Sequence, residues 1–296
     1  MRILITGASG FIGVPILDEF RKSNHLVMAL SRTEKKSSFP NLIWLNCNLD
    51  YIDECKNEII KFNPEIVIHL AWSDIPEFNS KNSNGNLKKS INFFEFVFTL
   101  KNLQKVIVSG SCFEIKNKSG PCIEDCETDA TTYFSWAKVS LLEWLKIKAV
   151  EKNVSLLWMR IFYAYGIGQK PNSLIPSIIN SFLSGSKPNL MRPYNCIDFI
   201  HKDDIARAFV VASEKSVPSG IYNVGSGKTI CISEIVEIIG KVFNQGRLVN
   251  EPILPSKNSG DEVLNFHADI RKIQSYFDWQ PKISIESGLM NLCKLM

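Results

Sequence analysis

Short apolar runs alternate with amphipathic stretches over about the first 160 residues of this 296-residue chain. The apolar runs predict strands at Arg2–Thr6, Leu26–Ser31, Leu42–Leu45, Ile66–Leu70, Lys105–Ser109 and Ser155–Met159. The amphipathic stretches predict helices at Phe11–Arg21, Ile52–Phe62, Leu87–Leu100 and Tyr133–Glu151. Apolar strands separated by helices are typical of a parallel sheet that carries helices on both faces. We therefore predict an α/β fold with a doubly wound parallel sheet.

The pattern changes after about residue 165. Helices are predicted at Leu174–Ser184, Asp203–Ser213 and Ser233–Asn244, with Gly- and Pro-rich loops and one short strand, Ile221–Val224, between them. This half has no continuous strand pattern, so we predict a first domain at 1–165 and a smaller lobe at 166–296, with crossing of the chain between them allowed. Ser80–Gly85 is interpreted as a polar loop.

Charge and cysteine content narrow the class of protein. The formal net charge is +4 and the basic residues are scattered, so neither nucleic acid nor a membrane surface is an expected partner. No long apolar run predicts a membrane span or a signal peptide, and we expect a cytoplasmic protein. The eight cysteines form no CxxC pair and have no histidine cluster beside them, which predicts free thiols and no metal site.

The first predicted strand ends in a glycine turn, Gly7-Ala8-Ser9-Gly10-Phe11-Ile12-Gly13, which opens the first helix. In this context the first glycine permits a tight turn, the second lets backbone N–H groups approach a pyrophosphate, and the third allows close helix–strand packing. The turn predicts a Rossmann-type domain that binds a dinucleotide.

The end of the second strand bears on which dinucleotide is bound. An acidic residue there would hold the ribose 2′-hydroxyl of NAD. This chain has Ser31 and Arg32 instead, followed by Lys35 and Lys36. A guanidinium binds phosphate oxygens through two N–H groups, so the hydroxyl of Ser31 and the guanidinium of Arg32 suit a 2′-phosphate and predict NADP. The alternative is that Arg32 stacks on the adenine of NAD.

Further motifs follow in a fixed order along nearly the whole chain: Val67–Ala71, Val108–Ser111, Arg160–Gly166, Asp198–Asp204, Tyr222–Gly227 and Trp279–Pro281. In this order they resemble the extended short-chain dehydrogenase/reductase family, which includes nucleotide-sugar epimerases, dehydratases and ketoreductases. The resemblance implies a cofactor pocket lined by Gly7, Ser9, Gly10, Phe11, Ile12, Gly13, Ser31, Arg32, Asn48, Leu49, Leu70, Ala71, Trp72, Lys138, Ile161 and Ala164. It implies a nucleotide-sugar substrate in contact with Cys112, Phe113, Tyr163, Leu174, Ile175 and Arg192.

The resemblance also implies a catalytic set: a Ser or Thr, a Tyr, and a Lys four residues beyond the Tyr. Hydride transfer at a carbon must be matched by proton transfer at its oxygen. A Tyr beside a Lys ammonium can carry that proton near neutral pH, while the Ser orients the oxygen. Ser111 and Lys138 stand at the matching positions, but Phe134 stands where the Tyr is expected and Tyr133 lies one residue earlier.

Helical geometry separates the two aromatic positions. Four residues rotate about 40° past a full turn and five rotate about 140° past it, so Tyr133 is expected to point away from Lys138. Three interpretations stay open. In the first, Phe134 is a deliberate substitution that traps bound substrate. In the second, the protein is a natural family member whose chemistry runs without the phenol. In the third, a distorted first turn of the helix brings Tyr133 to the site.

The resemblance leaves more than one reaction open. Dehydratases of the family have Thr-Asp-Glu after the fifth strand, whereas this chain has Ser111-Cys112-Phe113, with Glu114 expected to face away, so dehydration is disfavoured. Because a reductase draws on the NADPH pool, Ser31-Arg32 favours an NADP-dependent reductase of a nucleotide-linked 4-keto deoxy sugar. The alternatives are an NAD(P)-dependent 4-epimerase and a catalytically silent dinucleotide-binding module.

Two departures from the family concern the substrate diphosphate. Ile197 stands where family members usually have Arg, and Asn258 and Ser259 stand where a second Arg is common. Other cations are then expected to compensate, and the candidates are Arg192, Arg207, Lys187 and Lys257.

The resemblance also implies a homodimer through Leu87–Leu100 and Tyr133–Glu151. His69 and His201 are interpreted as structural residues, and Asp203 and Asp204 as caps of the next helix.

Overall fold

A seven-stranded parallel sheet forms the centre of the protein in a computed structural model that describes residues 1–244 and 263–296. Its strands are β1 Arg2–Thr6, β2 Leu26–Ser31, β3 Leu42–Asn46, β4 Ile66–His69, β5 Lys105–Ser111, β7 Ser155–Ile161 and β11 Gly220–Val224. They lie side by side in the order β11-β7-β5-β4-β1-β2-β3. The doubly wound parallel sheet predicted from the apolar runs is confirmed, and each predicted strand lies within two residues of its observed bounds.

Helices cover both faces of this sheet. The helices are α1 Gly13–Phe20, α2 Lys56–Phe62, α3 Ser80–Val97, α4 Tyr133–Lys152, α5 Leu174–Leu183, α6 Lys202–Glu214, α7 Ile232–Val242, α8 Arg271–Phe277 and α9 Ile285–Leu295. Two 3-10 helices, Leu49–Cys55 and Cys112–Glu114, follow β3 and β5. One buried cluster packs α3 and α4 on one face, and another packs α1, α6 and α8 on the other. Because both faces are covered, the central strands are apolar throughout.

The interpretation of Ser80–Gly85 as a loop is wrong. These residues form the first turns of α3, which begins after Asn79, whose side chain accepts a hydrogen bond from the Asn82 backbone N–H. An Asx cap of this kind satisfies an orphan N–H group of the helix, so the local polarity marks a capped helix start.

A second lobe lies beyond the carboxyl ends of the sheet strands. Its strands are β6 Ser119–Cys122, β8 Tyr163–Tyr165, β9 Cys196–Ile197, β10 Phe199–His201, β12 Ile230–Cys231 and β13 Asn265–Ala268. They form a four-stranded sheet, β12-β9-β13-β6, and a pair, β10-β8. The chain crosses between the lobes, because β6 belongs to the second sheet while α6, β11 and α8 return to the first. A single boundary at residue 165 therefore does not describe the two lobes.

Two of the eight cysteines are bonded in this lobe, which corrects the expectation of free thiols throughout. Cys196 and Cys231 are register partners of the antiparallel β9–β12 pair and form a disulfide. The sequence separation of 35 residues carries no sign of the pairing, because it depends on how two short strands meet. The other six cysteines are thiols.

The helix cap after β10 also differs from the expected one. The His201 side chain accepts the hydrogen bond from the Asp203 backbone N–H and caps α6. Asp204 is buried and accepts hydrogen bonds from the backbone N–H groups of Lys282 and Ile283, while it also pairs with Arg207. Asp204 thus holds the C-terminal segment against α6 rather than capping the helix.

Candidate active site

One cavity of about 890 Å³ opens at the carboxyl ends of β1, β2, β4, β5 and β7. In open parallel sheets ligands bind in this position, where strands end and helices begin. All sixteen residues expected in the cofactor pocket line this cavity, although they are spread along the sequence from Gly7 to Ala164. The topology collects them because the glycine turn and the ends of β2, β4, β5 and β7 meet at one edge of the sheet.

The glycine turn forms a cradle that side chains would fill. Gly7 has φ of +67°, and a Cβ there would lie 2.7 Å from the Ala71 backbone nitrogen. A Cβ on Gly13 would lie 2.3 Å from the Gly7 carbonyl oxygen. Helix α1 begins here without a side-chain cap or an acidic residue in its first turn, so no side chain neutralises the positive end of its dipole. The cradle therefore fits the pyrophosphate of a nicotinamide dinucleotide.

The end of β2 supplies the other cofactor contacts expected from the sequence. Ser31 is buried and Arg32 is exposed, and both line the cavity. Asn48 lines it as well, with its side-chain oxygen held by the Asp50 backbone N–H. Lys89 of α3 pairs with Asp50 at 2.9 Å and is a lining cation that the sequence reasoning missed.

Lys138 of α4 is buried at the end of β5. Its Nζ donates a hydrogen bond of 2.7 Å to the Ser109 carbonyl oxygen and lies 4.0 Å from the centroid of the Trp72 ring. Burial lowers the pKa of Lys138 to about 8, and the charge of Glu114 opposes that shift. The side chain is thus a cation held by one carbonyl and one aromatic face, with a proton that leaves more easily than in water.

Phe134 lies four residues before Lys138 and lines the same cavity, inside a wall of aromatic rings. Its ring centroid is 4.3 Å from Phe78, 5.8 Å from Trp72 and 5.9 Å from Phe113. Tyr133 is 57% exposed and does not line the cavity. Because α4 is helical from Tyr133 onward under a Thr132 capping box, a distorted first turn does not bring Tyr133 to Lys138.

Ser111 is held from behind by a buried ion pair. Both members of this pair are fully buried: Glu114, which accepts a 2.6 Å hydrogen bond from the Ser111 backbone N–H, and Arg160, whose Nε lies 3.4 Å from the carboxylate. The Trp158 indole N–H donates to the same carboxylate at 2.8 Å. Glu114 does not line the cavity, in keeping with the expectation that it faces away. The Ser111 Oγ accepts from the Phe113 backbone N–H, so its own proton remains for a ligand oxygen.

The residues expected to contact the substrate divide into two groups. Cys112, Phe113, Tyr163, Leu174 and Ile175 line the cavity. Arg192 is exposed and does not line it, although its charge acts on the pKa of Tyr163.

Among the described residues, none of the cations expected to compensate for the missing arginines lines the cavity. Arg207 pairs with Asp204, Lys187 does not line the cavity, and Lys257, like Asn258 and Ser259, lies outside the described residues. Lys170, which the sequence reasoning missed, lines the cavity from the loop after β8. Its position after a strand that ends at this edge of the fold was the available signal.

The two histidines occupy structural positions. His69 is buried, with Nδ1 2.9 Å from the Thr6 hydroxyl and Nε2 3.1 Å from the Ser90 hydroxyl. Burial, together with the charge of Lys138, lowers the pKa of His69 to about 3, so the ring is neutral at pH 7. His201 caps α6.

Residues 3–225 match the model of the NAD dependent epimerase/dehydratase family. The chain belongs to this family. It is accordingly an enzyme of the extended short-chain dehydrogenase/reductase type, a group that uses a nicotinamide dinucleotide.

Similar proteins cover the whole chain. A dTDP-4-dehydro-6-deoxyglucose reductase from Escherichia coli is 25% identical over 99% of this chain and 96% of its own length. The UDP-glucose 4-epimerase of Thermotoga maritima, solved with UDP-glucose, superposes with a TM-score of 0.86 at 21% identity and covers 99% of this chain and 98% of its own. A dTDP-glucose 4,6-dehydratase from Bacillus anthracis, solved with NAD, gives 0.83 at 19% identity and covers 99% and 96%.

None of the described helices has the length and apolar character needed to cross a membrane. The homodimer and the cytoplasmic location stay predictions.

Proposed function

We propose that this protein is an NADP-dependent reductase of a nucleotide-linked 4-keto deoxy sugar, of the kind used in surface-polysaccharide biosynthesis. The observation that carries the proposal is that Ser31 and Arg32 line the cavity where β2 ends, at the place of the acidic residue that would select NAD. A site that binds the 2′-phosphate selects NADPH over NADH. A reductase consumes its cofactor and therefore draws on the cellular pool of NADPH. The Escherichia coli relative is named as a reductase of a 4-dehydro-6-deoxy sugar nucleotide, dTDP-4-dehydro-6-deoxyglucose.

The cavity supports a ketone as the reacting group. Ser111 presents a hydroxyl to the cavity, and Lys138 presents an ammonium that is bonded to the Ser109 carbonyl of the same strand, so both can act on a carbonyl oxygen as charge develops there. The cofactor, once bound, supplies the hydride. The aromatic wall of Trp72, Phe78, Phe113 and Phe134 offers apolar surface to the sugar, which suits a deoxygenated sugar with fewer hydroxyls to satisfy.

The acid and base of a 4,6-dehydratase have no counterpart at this point of the cavity. Glu114 uses both carboxylate oxygens for Ser111, Trp158 and Arg160. Water elimination is therefore not the proposed reaction.

A 4-epimerase is the second candidate, because the epimerase of Thermotoga maritima has the same fold along the whole chain. Cofactor stoichiometry separates the two. We expect one NADPH oxidised per dTDP- or CDP-linked 4-keto deoxy sugar reduced, followed at 340 nm and by mass spectrometry of the product. Interconversion of sugar nucleotides by catalytic, retained cofactor would establish the epimerase instead. If neither the protein nor the Phe134→Tyr variant turns over any of these substrates, both enzyme functions are rejected in favour of the catalytically silent dinucleotide-binding module.

Cofactor choice has its own test in Arg32→Ala. Loss of a charge-assisted contact to phosphate should raise the Kd of NADPH about 10- to 100-fold and leave that of NADH nearly unchanged. Lys36→Ala, on the same exposed segment but outside the cavity lining, is the matched control. Equal weakening of NADPH and NADH by Arg32→Ala would favour stacking on adenine and NAD as the cofactor.

A further inference from the structure

The carbonyl reduced in the proposed function needs a proton, and the expected phenol is absent from position 134. Phe134 has no proton to give, and Tyr133 is more than half exposed and does not line the cavity. If the protein is the proposed reductase, another side chain of the cavity must replace the phenol.

Several titratable side chains line the cavity among the described residues, and three of them lie next to the end of β5. Cys112 follows Ser111, Lys138 donates to the Ser109 carbonyl oxygen, and Tyr163 lies two residues beyond Ile161, the register partner of Ser111. Burial raises the pKa of the Cys112 thiol and of the Tyr163 phenol, so both hold their protons more tightly than in water. Burial acts in the opposite sense on Lys138 and lowers its pKa to about 8. A general acid works best when its pKa lies near the operating pH, which favours Lys138.

The position of Lys138 also suits the role. Nζ contacts the Ser109 carbonyl oxygen, two residues before Ser111 on the same strand. The Ser109 carbonyl takes one of the three ammonium hydrogens, which leaves two for a cofactor hydroxyl and a substrate oxygen. The Trp72 ring lies against both Nζ and Phe134, so apolar surface borders the site where the proton would move.

Two ionisable groups face Lys138 from the elements packed around it. Glu114, in the 3-10 helix after β5, raises the pKa of Lys138 by its charge. His69, at the end of β4, stays neutral because burial and the Lys138 charge keep its pKa at about 3. Arg160 of β7 pairs with that same Glu114 carboxylate. The charge state of Lys138 near pH 8 therefore depends on burial and on one carboxylate.

We propose that Lys138 Nζ, rather than a phenol, is the proton donor of this enzyme, an inference that rests on the proposed reductase function. The carbonyl carbon accepts hydride from the reduced nicotinamide, and the electron pair of the C=O π bond moves to the oxygen. One Nζ–H bond breaks as the O–H bond of the product alcohol forms. Lys138 is left as a neutral amine and regains its proton from water after the product leaves.

Lys138→Arg separates proton donation from cofactor binding. Arg keeps the positive charge and several N–H donors but does not release a proton in the accessible pH range. We expect the Kd of NADPH, measured by fluorescence, to stay within about threefold while kcat falls at least about 100-fold. Lys146→Arg, at an exposed position of the same helix, is the matched control and should leave kcat unchanged. A Lys138→Arg variant that retained both kcat and cofactor affinity would overturn the proposal.

Direct titration of Lys138 gives a readout that needs neither substrate nor cofactor. Reductive ¹³C-methylation labels the lysines, and the Lys138 signal is the one missing from the Lys138→Arg spectrum. A midpoint near 8 supports the proposal, and a midpoint above 10 overturns it. In the active enzyme, kcat for reduction should fall as pH rises through the same midpoint, and a flat profile from pH 7 to 9.5 would also count against Lys138.

The two proposals fail differently. A Lys138 pKa above 10 in a protein with intact reductase activity rejects Lys138 as the proton donor and leaves the reductase function standing. A Lys138 pKa near 8 in a protein that reduces no 4-keto sugar nucleotide rejects the reductase function, and only the lowered pKa of the lysine remains.

Discussion

The ion pair behind Ser111 offers a sharp test of how this site is held. Glu114 and Arg160 are fully buried, and the carboxylate uses one oxygen for the Ser111 N–H and the other for Trp158 and Arg160. Glu114→Gln keeps the shape but has one oxygen and one NH₂ group. The NH₂ group must then face a donor, whichever way the amide turns.

The expected cost follows from this geometry. Removing one partner of a buried pair leaves the other charge uncompensated, which typically costs about 3–5 kcal/mol. We expect Glu114→Gln to lower the free energy of unfolding in urea by about that amount. Glu127→Gln, whose carboxylate pairs with Lys116 at the exposed surface, is the matched control and should leave it nearly unchanged.

A double variant shows whether the unpaired cation causes the loss. Adding Arg160→Met to Glu114→Gln removes that cation, so the pair should cost at least about 1 kcal/mol less than the sum of the single variants. The charge of Glu114 also raises the pKa of Lys138, so the alkaline limb of the kcat profile should move to lower pH in Glu114→Gln. Additive single variants, or a loss below about 1 kcal/mol for Glu114→Gln, would refute this account of the ion pair.

Three further predictions test the cradle, the buried histidine and the subunit interface. Gly13→Ala should abolish NADPH binding in calorimetry, because its Cβ would lie 2.3 Å from the Gly7 carbonyl oxygen; Gly10→Ala, with 3.1 Å, should bind more weakly but still measurably. His69 has a folded-state pKa of about 3, below its unfolded value, so its stabilising effect is full above about pH 6.5 and is lost as pH falls toward 3. Unfolding free energy should drop by about 2 kcal/mol between pH 6.5 and 5, and His69→Gln should remove that slope; an unchanged slope would show that another group causes it. Trp136 lies at the exposed surface between α3 and α4, so Trp136→Glu should convert a homodimer to monomer in analytical ultracentrifugation, whereas a parent protein that is already monomeric at micromolar concentration rejects the dimer.

The sheet and the cofactor cradle could be predicted because local sequence determines them. Apolar strands buried on both faces and a glycine turn between β1 and α1 leave few alternatives. The helix start at Ser80 was missed because Asn and Ser favour both loops and helix caps, and only the Asn79–Asn82 hydrogen bond decides between them.

The second lobe and part of the site could not be predicted because they depend on contacts distant in sequence. Strand β13 pairs with β6, which lies more than 140 residues earlier in the sequence, and each of these strands has only four residues. The Cys196–Cys231 disulfide follows from that assembly. The lining positions of Lys89 and Lys170 likewise appear only when α3 and the loop after β8 meet at the cavity.

The burial of Lys138 is the strongest reason to expect chemistry at a site without the phenol. A buried ammonium costs several kcal/mol of desolvation, which the Ser109 carbonyl, the Trp72 face and the more distant Glu114 only partly offset. A Met at this position would fill similar space among the same aromatic rings without that cost. Packing alone therefore gives no reason for a cation here, whereas cofactor binding and proton transfer both require one, and Lys138→Arg is the substitution that separates those two requirements.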